Sequence, residues 1–181
     1  MPNKTSGRVA LCGVLAALML VVMLFGTMLP LSTYACPALA GAISIPVIWE
    51  LGTKPGCLLY LAVSILSLLL APDKEAALLF LFLLGWYPIL RPKLQHLKKK
   101  PARVVVKLIL FNLAICLVYA LLLFVLTTPD LQAEAARWTG PLLAGMLLLG
   151  NVTFLLYDLM LSRVTDLYVY RLRAKLFPHR F

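Results

Sequence analysis

The sequence predicts an all-α membrane protein: a bundle of about six transmembrane helices in a single domain, with both termini in the cytoplasm. Composition is the first reason, since 62% of the 181 residues are apolar and 13% are charged, against about 25% charged in soluble domains. The mean hydropathy of +0.96 is the second. A soluble domain cannot bury this much apolar surface, and a disordered chain does not contain it.

Six apolar stretches approach the roughly 17–25 residues that a helix needs to cross the hydrocarbon core of a bilayer. Pro30, Pro72 and Pro129 follow the first, third and fifth stretches, and Gly52 follows the second. The third and fourth stretches are short, so one of them could be re-entrant. The predicted spans are 9–29, 34–51, 56–71, 75–90, 104–127 and 139–163, with a basic loop at 91–103 and a basic tail at 164–181.

The basic residues indicate the orientation of these spans. With the N terminus inside the cell, segments 52–55, 91–103 and 164–181 are also cytoplasmic, and these regions hold nearly all of the 17 Lys and Arg residues. Only Lys74 and Arg137 stay outside. Retention of basic residues on the cytoplasmic side is typical of multi-pass proteins. We therefore expect a protein of the plasma membrane, and the net charge of +10 gives no reason to expect a nucleic-acid partner.

Membrane lipids are the partners that the basic segments favour. Lys98 to Lys100 and the tail can attract anionic headgroups, at about 1 kcal/mol per charge near the surface. The tail has two interpretations: a short helix lying in the interface, or the frayed end of the sixth span. The interfacial helix would present one apolar stripe made of Val164, Tyr168, Leu172 and Leu176.

The sequence lacks the common signatures of enzymes and metal proteins. It has no glycine-rich phosphate loop ending in G-K-[ST], and His96 and His179 both lie in the basic segments. The four cysteines fall in four different spans, without metal-ligand spacing. We expect no catalytic residue, no metal site, no cofactor and no enzymatic activity.

Polar residues inside the spans are the functional candidates, because they are costly in lipid. Glu50, Lys107 and Asp158 lie at a similar depth, within about 10 Å of the cytoplasmic face. We expect one cation and two carboxylates at the same depth to pair. Such an intramembrane charge cluster could fix helix packing, or it could take part in proton coupling or partner docking.

Five residues form a candidate substrate-binding set. Asn112 and Asn151 lie near the middle of consecutive spans, where they could either pair with each other or line a solute pocket. Tyr34, Glu75 and Trp138 lie toward the outer face. Trp138 could instead be an interfacial anchor, which is the more frequent role of tryptophan at that depth.

Gly13 and Ala17 form a pair of small residues four positions apart on the first span. Such pairs allow two membrane helices to approach closely. We take them as a candidate surface for docking a partner.

In architecture, the chain resembles the substrate-binding S components of energy-coupling factor (ECF) transporters. The shared features are a length of about 180 residues, six spans, cytoplasmic termini, a small-residue pair in the first span and no ATPase motif. The segments Trp49 to Gly52, Leu70 to Ala77, Gly85 to Pro88 and Lys107 to Asn112 also resemble an uncharacterised Firmicute membrane family related to them.

This resemblance implies a bacterial transport subunit that captures a small solute from outside. Gly13 and Ala17 would then dock on a transmembrane coupling subunit, which two cytoplasmic ATPases drive. Gly13 stands where that family has alanine. The first external loop, Pro30 to Thr33, is shorter than the flap that covers the solute in the family.

A second hypothesis is a non-transporting scaffold of the cell envelope, similar to rod-shape-determining membrane proteins in size, span number and fold. It would hold partners through lipid-facing grooves and loop 91–103. The two hypotheses make opposite predictions, because the scaffold has a solid interior. The transport subunit has a pocket that opens outward among Tyr34, Glu75, Trp138 and Asn151.

Overall fold

A computed structural model describes residues 4–25, 32–95, 99–124 and 138–172, and every secondary-structure element in these ranges is helical. The α-helices are α1 (Lys4–Phe25), α2 (Ser32–Ile43), α3 (Ile45–Leu51), α4 (Thr53–Leu70), α5 (Lys74–Leu79), α6 (Tyr87–Gln95), α7 (Lys100–Phe124) and α8 (Gly140–Leu167). Two π-helical segments are π1 (Phe80–Leu84), which precedes α6, and π2 (Tyr168–Leu172), which follows α8.

Six helical stretches are long and apolar enough to cross a membrane, which confirms the predicted all-α chain with six candidate spans. The third and fourth, which the sequence made short, have 18 and 22 residues and are as long as a span requires. The six stretches are Ser6–Phe25, Thr33–Leu51, Thr53–Leu70, Lys74–Gln95, Pro101–Phe124 and Gly140–Arg171.

The helices extend into segments that the sequence assigned to loops. The link between the second and third spans is Gly52 alone, and α6 continues through Arg91 to Gln95. The last span continues through π2 to Leu172, and the rest of the predicted tail lies outside the described residues. Hydropathy ends a span where charges begin, but long basic side chains can reach the interface from a helix that continues. The predicted positions Lys98, Arg137 and Leu176 lie outside the described residues.

A kink divides the second span into α2 and α3. Pro46 has no backbone N–H to continue the helical ladder, and the Ser44 hydroxyl donates to the Gly41 carbonyl at 2.7 Å. Gly52 then turns the chain directly into α4 with φ 93°, a left-handed conformation that favours glycine. The second and third spans therefore form a hairpin with a one-residue turn.

The fourth span, made of α5, π1 and α6, is the centre of the bundle. In its most apolar stretch 61% of the residues are buried, whereas 11% are buried in the first and sixth spans. Phe80 and Tyr87 are fully buried, each in a different apolar cluster. The Phe80 cluster packs the fourth span against α1 to α4, and the Tyr87 cluster packs it against α7 and α8. The first and last spans consequently expose most of their surface.

Polar side chains hydrogen-bond to the carbonyl groups of π1. Tyr60 Oη donates to the Leu81 carbonyl at 2.5 Å, Trp86 Nε1 donates to the Phe82 carbonyl at 2.5 Å, and Tyr157 Oη donates to the Leu84 carbonyl at 3.0 Å. A π turn widens the helix and displaces its hydrogen bonds. Because hydrocarbon offers no water to satisfy freed carbonyl groups, these donors stabilise the turn at membrane depth.

The spans alternate in direction, so each end of the bundle collects particular helix termini. The Tyr34 end contains the beginnings of α2, α5 and α8 and the ends of α4 and α7. The Arg91 end contains the beginnings of α4 and α7 and the ends of α3, α6 and α8. Each end has its own polar cluster.

Candidate functional site

Three of the five candidate substrate-binding residues lie together at the Tyr34 end, joined by a residue that the sequence analysis missed. Tyr34 Oη donates to Glu75 Oε1 at 3.0 Å, and Tyr119 Oη donates to the same oxygen at 2.9 Å. The ring of Trp138 meets the ring of Tyr119 edge to face, with centroids 5.6 Å apart. We name these four residues the Tyr34 cluster: Tyr34, Glu75, Tyr119 and Trp138.

Helix starts and a side-chain contact position the cluster. Asp73 caps α5 by accepting from the backbone N–H of Ala76 at 3.1 Å, which fixes Glu75 in the first turn. The other Asp73 oxygen accepts from Thr33 Oγ1 at 2.8 Å, which ties the beginning of α2 to the beginning of α5. Tyr34 follows Thr33 directly and is 48% exposed. The site is therefore held by the backbone but open on one side.

The three oxygen atoms at the centre of the cluster have only two hydrogen atoms between them. Tyr34 Oη and Tyr119 Oη lie 3.2 Å apart, so with Glu75 Oε1 they form a triangle of three oxygens. The two phenols supply only two hydrogen atoms to this triangle. When both donate to the carboxylate, no hydrogen lies between the two phenol oxygens. No described residue donates to Glu75 Oε2. Oε2 is therefore the oxygen of Glu75 that the described residues leave without a donor.

Asn112 and Asn151 form a reciprocal amide pair, which is one of the two interpretations that the sequence left open. Each side-chain nitrogen donates to the other residue's oxygen, at 3.0 and 3.2 Å, and each also donates to the carbonyl four residues earlier in its own helix. Asn112 lies seven residues before Tyr119 on α7, about 10 Å along the helix. The structure brings the two asparagines together but does not bring them into the Tyr34 cluster.

A second polar cluster lies at the Arg91 end and joins α6, α7 and α8. Asp158 Oδ2 accepts from Lys107 Nζ at 2.5 Å, while Asp158 Oδ1 accepts from Arg91 Nε at 3.0 Å and from Tyr87 Oη at 2.6 Å. The guanidinium also hydrogen-bonds to Ser162. Arg91 and Lys107 are both buried. We name these five residues the Arg91 cluster: Tyr87, Arg91, Lys107, Asp158 and Ser162.

This geometry agrees with part of the expected charge cluster and adds to it. Lys107 and Asp158 pair as their depth indicated, and Arg91, which the sequence assigned to the basic loop, is a second cation on the same carboxylate. Glu50 accepts from Tyr168 Oη at 3.2 Å, which links α3 to π2. Each of the three acidic and basic positions named from the sequence therefore takes part in joining helices.

Two spacings in the sequence could have identified the missed residues. Tyr87 and Arg91 are four positions apart, so they share a helix face, and both contact Asp158. Asn112 and Tyr119 are seven positions apart and also share a face. Tyr119 thus shares a face with a position already selected for its polarity, whereas Tyr87 and Arg91 share a face only with each other.

The small residues Gly13 and Ala17 lie on an exposed face of α1. A Cβ atom built on Gly13 would meet nothing within 4 Å. Val14 and Leu18 on the same side are 67% and 46% exposed. This face is therefore not used for packing among the described helices.

One groove of about 520 Å³ opens on the side of the bundle between α4, π1 and α7, and its lining is almost entirely apolar. Its polar atoms, Tyr60 Oη and Trp86 Nε1, already donate to π1 carbonyls. The groove is therefore distinct from the Tyr34 cluster. In the part of the chain that the structure describes, no group of three His, Cys, Asp or Glu residues could hold a metal ion. The four cysteines form no disulfide.

The described residues therefore form a partly exposed polar site at the Tyr34 cluster, a buried ionic site at the Arg91 cluster and an uncovered face on α1. No protein-family model, curated protein or solved structure matches the chain.

Proposed function

We propose that the protein is the solute-binding membrane subunit of an importer of the ECF type. In this proposal it captures a small solute from outside at the Tyr34 cluster and depends on separate coupling and ATPase subunits for energy. The observation that supports it best is the carboxylate of Glu75, which accepts from two phenols beside the half-exposed Tyr34 and forms no ion pair with a described residue. A buried carboxylate that was fully paired with cations would have indicated a purely structural role.

The same proposal places the Arg91 end and both termini in the cytoplasm, with the protein crossing the plasma membrane six times. Exposed basic side chains support this orientation, because cytoplasmic ends retain Lys and Arg and attract anionic lipids. At the Tyr34 end, Lys74 is the basic side chain among the described residues, and it donates to the carbonyls of Leu68 and Ala71. The exposed basic residues at the Arg91 end are Arg8, Lys54, Lys93, Lys99, Arg163 and Arg171.

The face of α1 that contains Gly13 and Ala17 supports the docking part of the proposal. Small residues let a partner helix approach the backbone closely, and nothing in the described structure covers them. A transmembrane coupling subunit is the partner that the proposal requires there. Gly13→Leu should abolish its binding, while Val9→Leu, near the exposed end of the same helix, should preserve it.

Purification in mild detergent tests the proposal directly. The wild-type chain should co-purify with a membrane subunit and with ATPases, and it should bind a small solute with submicromolar affinity. Gly13→Leu should lose the partner subunits but keep the solute, and Glu75→Gln should lose the solute but keep the partners. Recovery of neither solute nor partners would contradict the proposal.

A topology experiment tests the orientation independently. Single cysteines at Asp73 and Lys99 are introduced into a variant in which Cys12, Cys36, Cys57 and Cys116 are replaced by serine or alanine. A membrane-impermeant thiol reagent added to intact cells should label the cysteine at 73 and not the cysteine at 99. The opposite labelling would place the Tyr34 cluster in the cytoplasm and exclude capture from outside.

The scaffold hypothesis has one observation in its favour. The reciprocal pair of Asn112 and Asn151 closes the space between α7 and α8 near mid-membrane, as expected of a solid interior. A scaffold predicts a cell-shape defect on deletion with unchanged solute uptake. An importer subunit predicts the reverse.

A further inference from the structure

We propose that the Tyr34 cluster binds a small organic cation with a substituted ammonium group. This inference rests on the proposed capture function, and it names the chemical class of the solute.

The carboxylate provides the negative charge. Glu75 Oε1 accepts two phenol protons, and no described residue donates to Oε2 or neutralises the carboxylate with an ion pair. This contrasts with Asp73, whose two oxygens are occupied by Thr33 and the α5 backbone. Glu75 is therefore the carboxylate that can face a ligand.

Aromatic rings provide the second attraction. Tyr34 and Tyr119 both reach this carboxylate through their hydroxyl groups, and the ring of Trp138 meets the ring of Tyr119 edge to face, so three aromatic rings belong to the same cluster. The face of an aromatic ring attracts a cation within about 6 Å, and several rings together recognise alkylated ammonium groups. The rings also hold the methyl or methylene groups that surround such a nitrogen.

The surrounding charges favour a cation over an anion. The nearest basic residue in sequence, Lys74, points its ammonium at the carbonyls of Leu68 and Ala71 and so caps the end of α4. Among the described residues, an anionic solute would meet the carboxylates of Glu75 and Asp73 and no cation that faces it. The Arg91 cluster, with two cations on one carboxylate, lies at the opposite end of the bundle.

A metal ion fits this site less well than an organic cation. Divalent calcium takes about 6–8 oxygen ligands, and magnesium needs an octahedral shell. The cluster offers one carboxylate and two phenols that already donate their protons to it. Aromatic rings supply no lone pairs to a hard metal ion but do stabilise a soft, alkylated cation.

Calorimetric titration of the full chain in lipid nanodiscs tests the inference with defined probes. Choline chloride and tetramethylammonium chloride should each bind saturably. The neutral carbon isostere of choline, 3,3-dimethylbutan-1-ol, should bind at least about tenfold more weakly, because it has the same shape without the charge. The anion 3,3-dimethylbutanoate should not bind.

Variants separate the carboxylate from the rings. Glu75→Gln should weaken choline binding by about tenfold or more, with no effect on the neutral isostere. Tyr34→Phe should retain binding within about threefold because it keeps the ring, whereas Tyr34→Leu should weaken it by about two- to thirtyfold. Asp166→Asn, an exposed carboxylate change at the other end of the bundle, should have no effect and serves as the matched control.

The outcomes distinguish this inference from the capture function. Equal binding of choline and its neutral isostere, or no saturable binding of either ammonium probe by folded protein, would overturn the cation assignment. If the protein then bound a different class of solute and co-purified with its partner subunits, the capture function would still be supported. Glu75-dependent ammonium binding without coupling or ATPase partners would support the cation assignment and contradict the importer. Thermal unfolding of each variant ensures that only folded protein is compared.

Discussion

Each of the two polar clusters contains a carboxylate that accepts from tyrosine, but the other groups that donate to that carboxylate differ. Asp158 accepts from Tyr87 and from two cations, Arg91 and Lys107. Glu75 accepts from two phenols and from no described cation. Both buried cations at Asp158 are shielded from the surroundings, whereas Tyr34 is 48% exposed.

This difference shows how depth in a membrane constrains polar chemistry. Charges inside hydrocarbon are costly unless they are paired and hydrogen-bonded, so the Arg91 cluster is complete in itself. A carboxylate near the end of the bundle can keep its charge because water and headgroups are within reach. We therefore expect the Arg91 cluster to control stability and the Tyr34 cluster to control binding.

The largest expected effect breaks the Arg91 cluster. Asp158→Asn leaves two buried cations without a carboxylate and should destabilise the protein by about 3–5 kcal/mol. Unfolding by sodium dodecyl sulfate in mixed micelles measures this free energy. Asp166→Asn, two turns further along α8 and exposed, should change it little; equal effects of the two substitutions would contradict a structural role for the cluster.

A second change targets the packing of α2 against π1. In Gly41→Ala the new Cβ would lie 2.3 Å from the Leu84 carbonyl oxygen and 2.7 Å from Tyr157 Oη, so backbone must move. Overpacking of this kind costs about 1–3 kcal/mol. The matched control is Gly13→Ala, where the added atom meets nothing within 4 Å and the unfolding free energy should not fall, because alanine favours the helix more than glycine does.

The amide pair at mid-membrane should contribute less. A double-mutant cycle with Asn112→Leu and Asn151→Leu should give a coupling energy of about 0.6–1.7 kcal/mol, the range for hydrogen bonds between membrane helices. The mixed-micelle assay applied to wild type, both single variants and the double variant provides the cycle. A coupling energy of zero would mean that each residue relies on the carbonyl in its own helix.

The smallest expected effect on stability is at the Tyr34 cluster. Glu75→Gln keeps a carbonyl oxygen that can accept from Tyr34 and Tyr119, so the unfolding free energy should change by less than about 1 kcal/mol. If Glu75→Gln instead lowered the unfolding free energy as much as Asp158→Asn does, the Tyr34 cluster would also have a structural role.

The sequence predicted the six helices well because transmembrane length and hydropathy are local properties. Depth along the helix also placed Lys107 beside Asp158 and grouped Tyr34, Glu75 and Trp138 at one end. Sequence-based prediction missed Arg91 because a hydropathy pattern treats arginine as the end of a span, although a buried carboxylate on another helix can hold it inside. The orientation of the bundle remains a prediction from charge.

Other features could not be predicted because they depend on contacts between distant segments. Tyr119 shares a helix face with Asn112, but its role comes from Glu75 and Tyr34 on two other helices, which that spacing does not reveal. The asparagines allowed two interpretations until the geometry paired them. The π1 segment is a run of leucine and phenylalanine, and two of the three donors to its carbonyl groups come from the distant helices α4 and α8.

The π1 turn has a consequence for the evolutionary history of the chain. A π turn holds one more residue than the α turn it replaces, so a relative without it would keep the same helix directions with one residue fewer between positions 79 and 86. An alignment would show a single-residue gap inside a transmembrane helix, where gaps are normally penalised. Searches that permit such a gap at this position should find distant relatives that ungapped comparison of the fourth span overlooks.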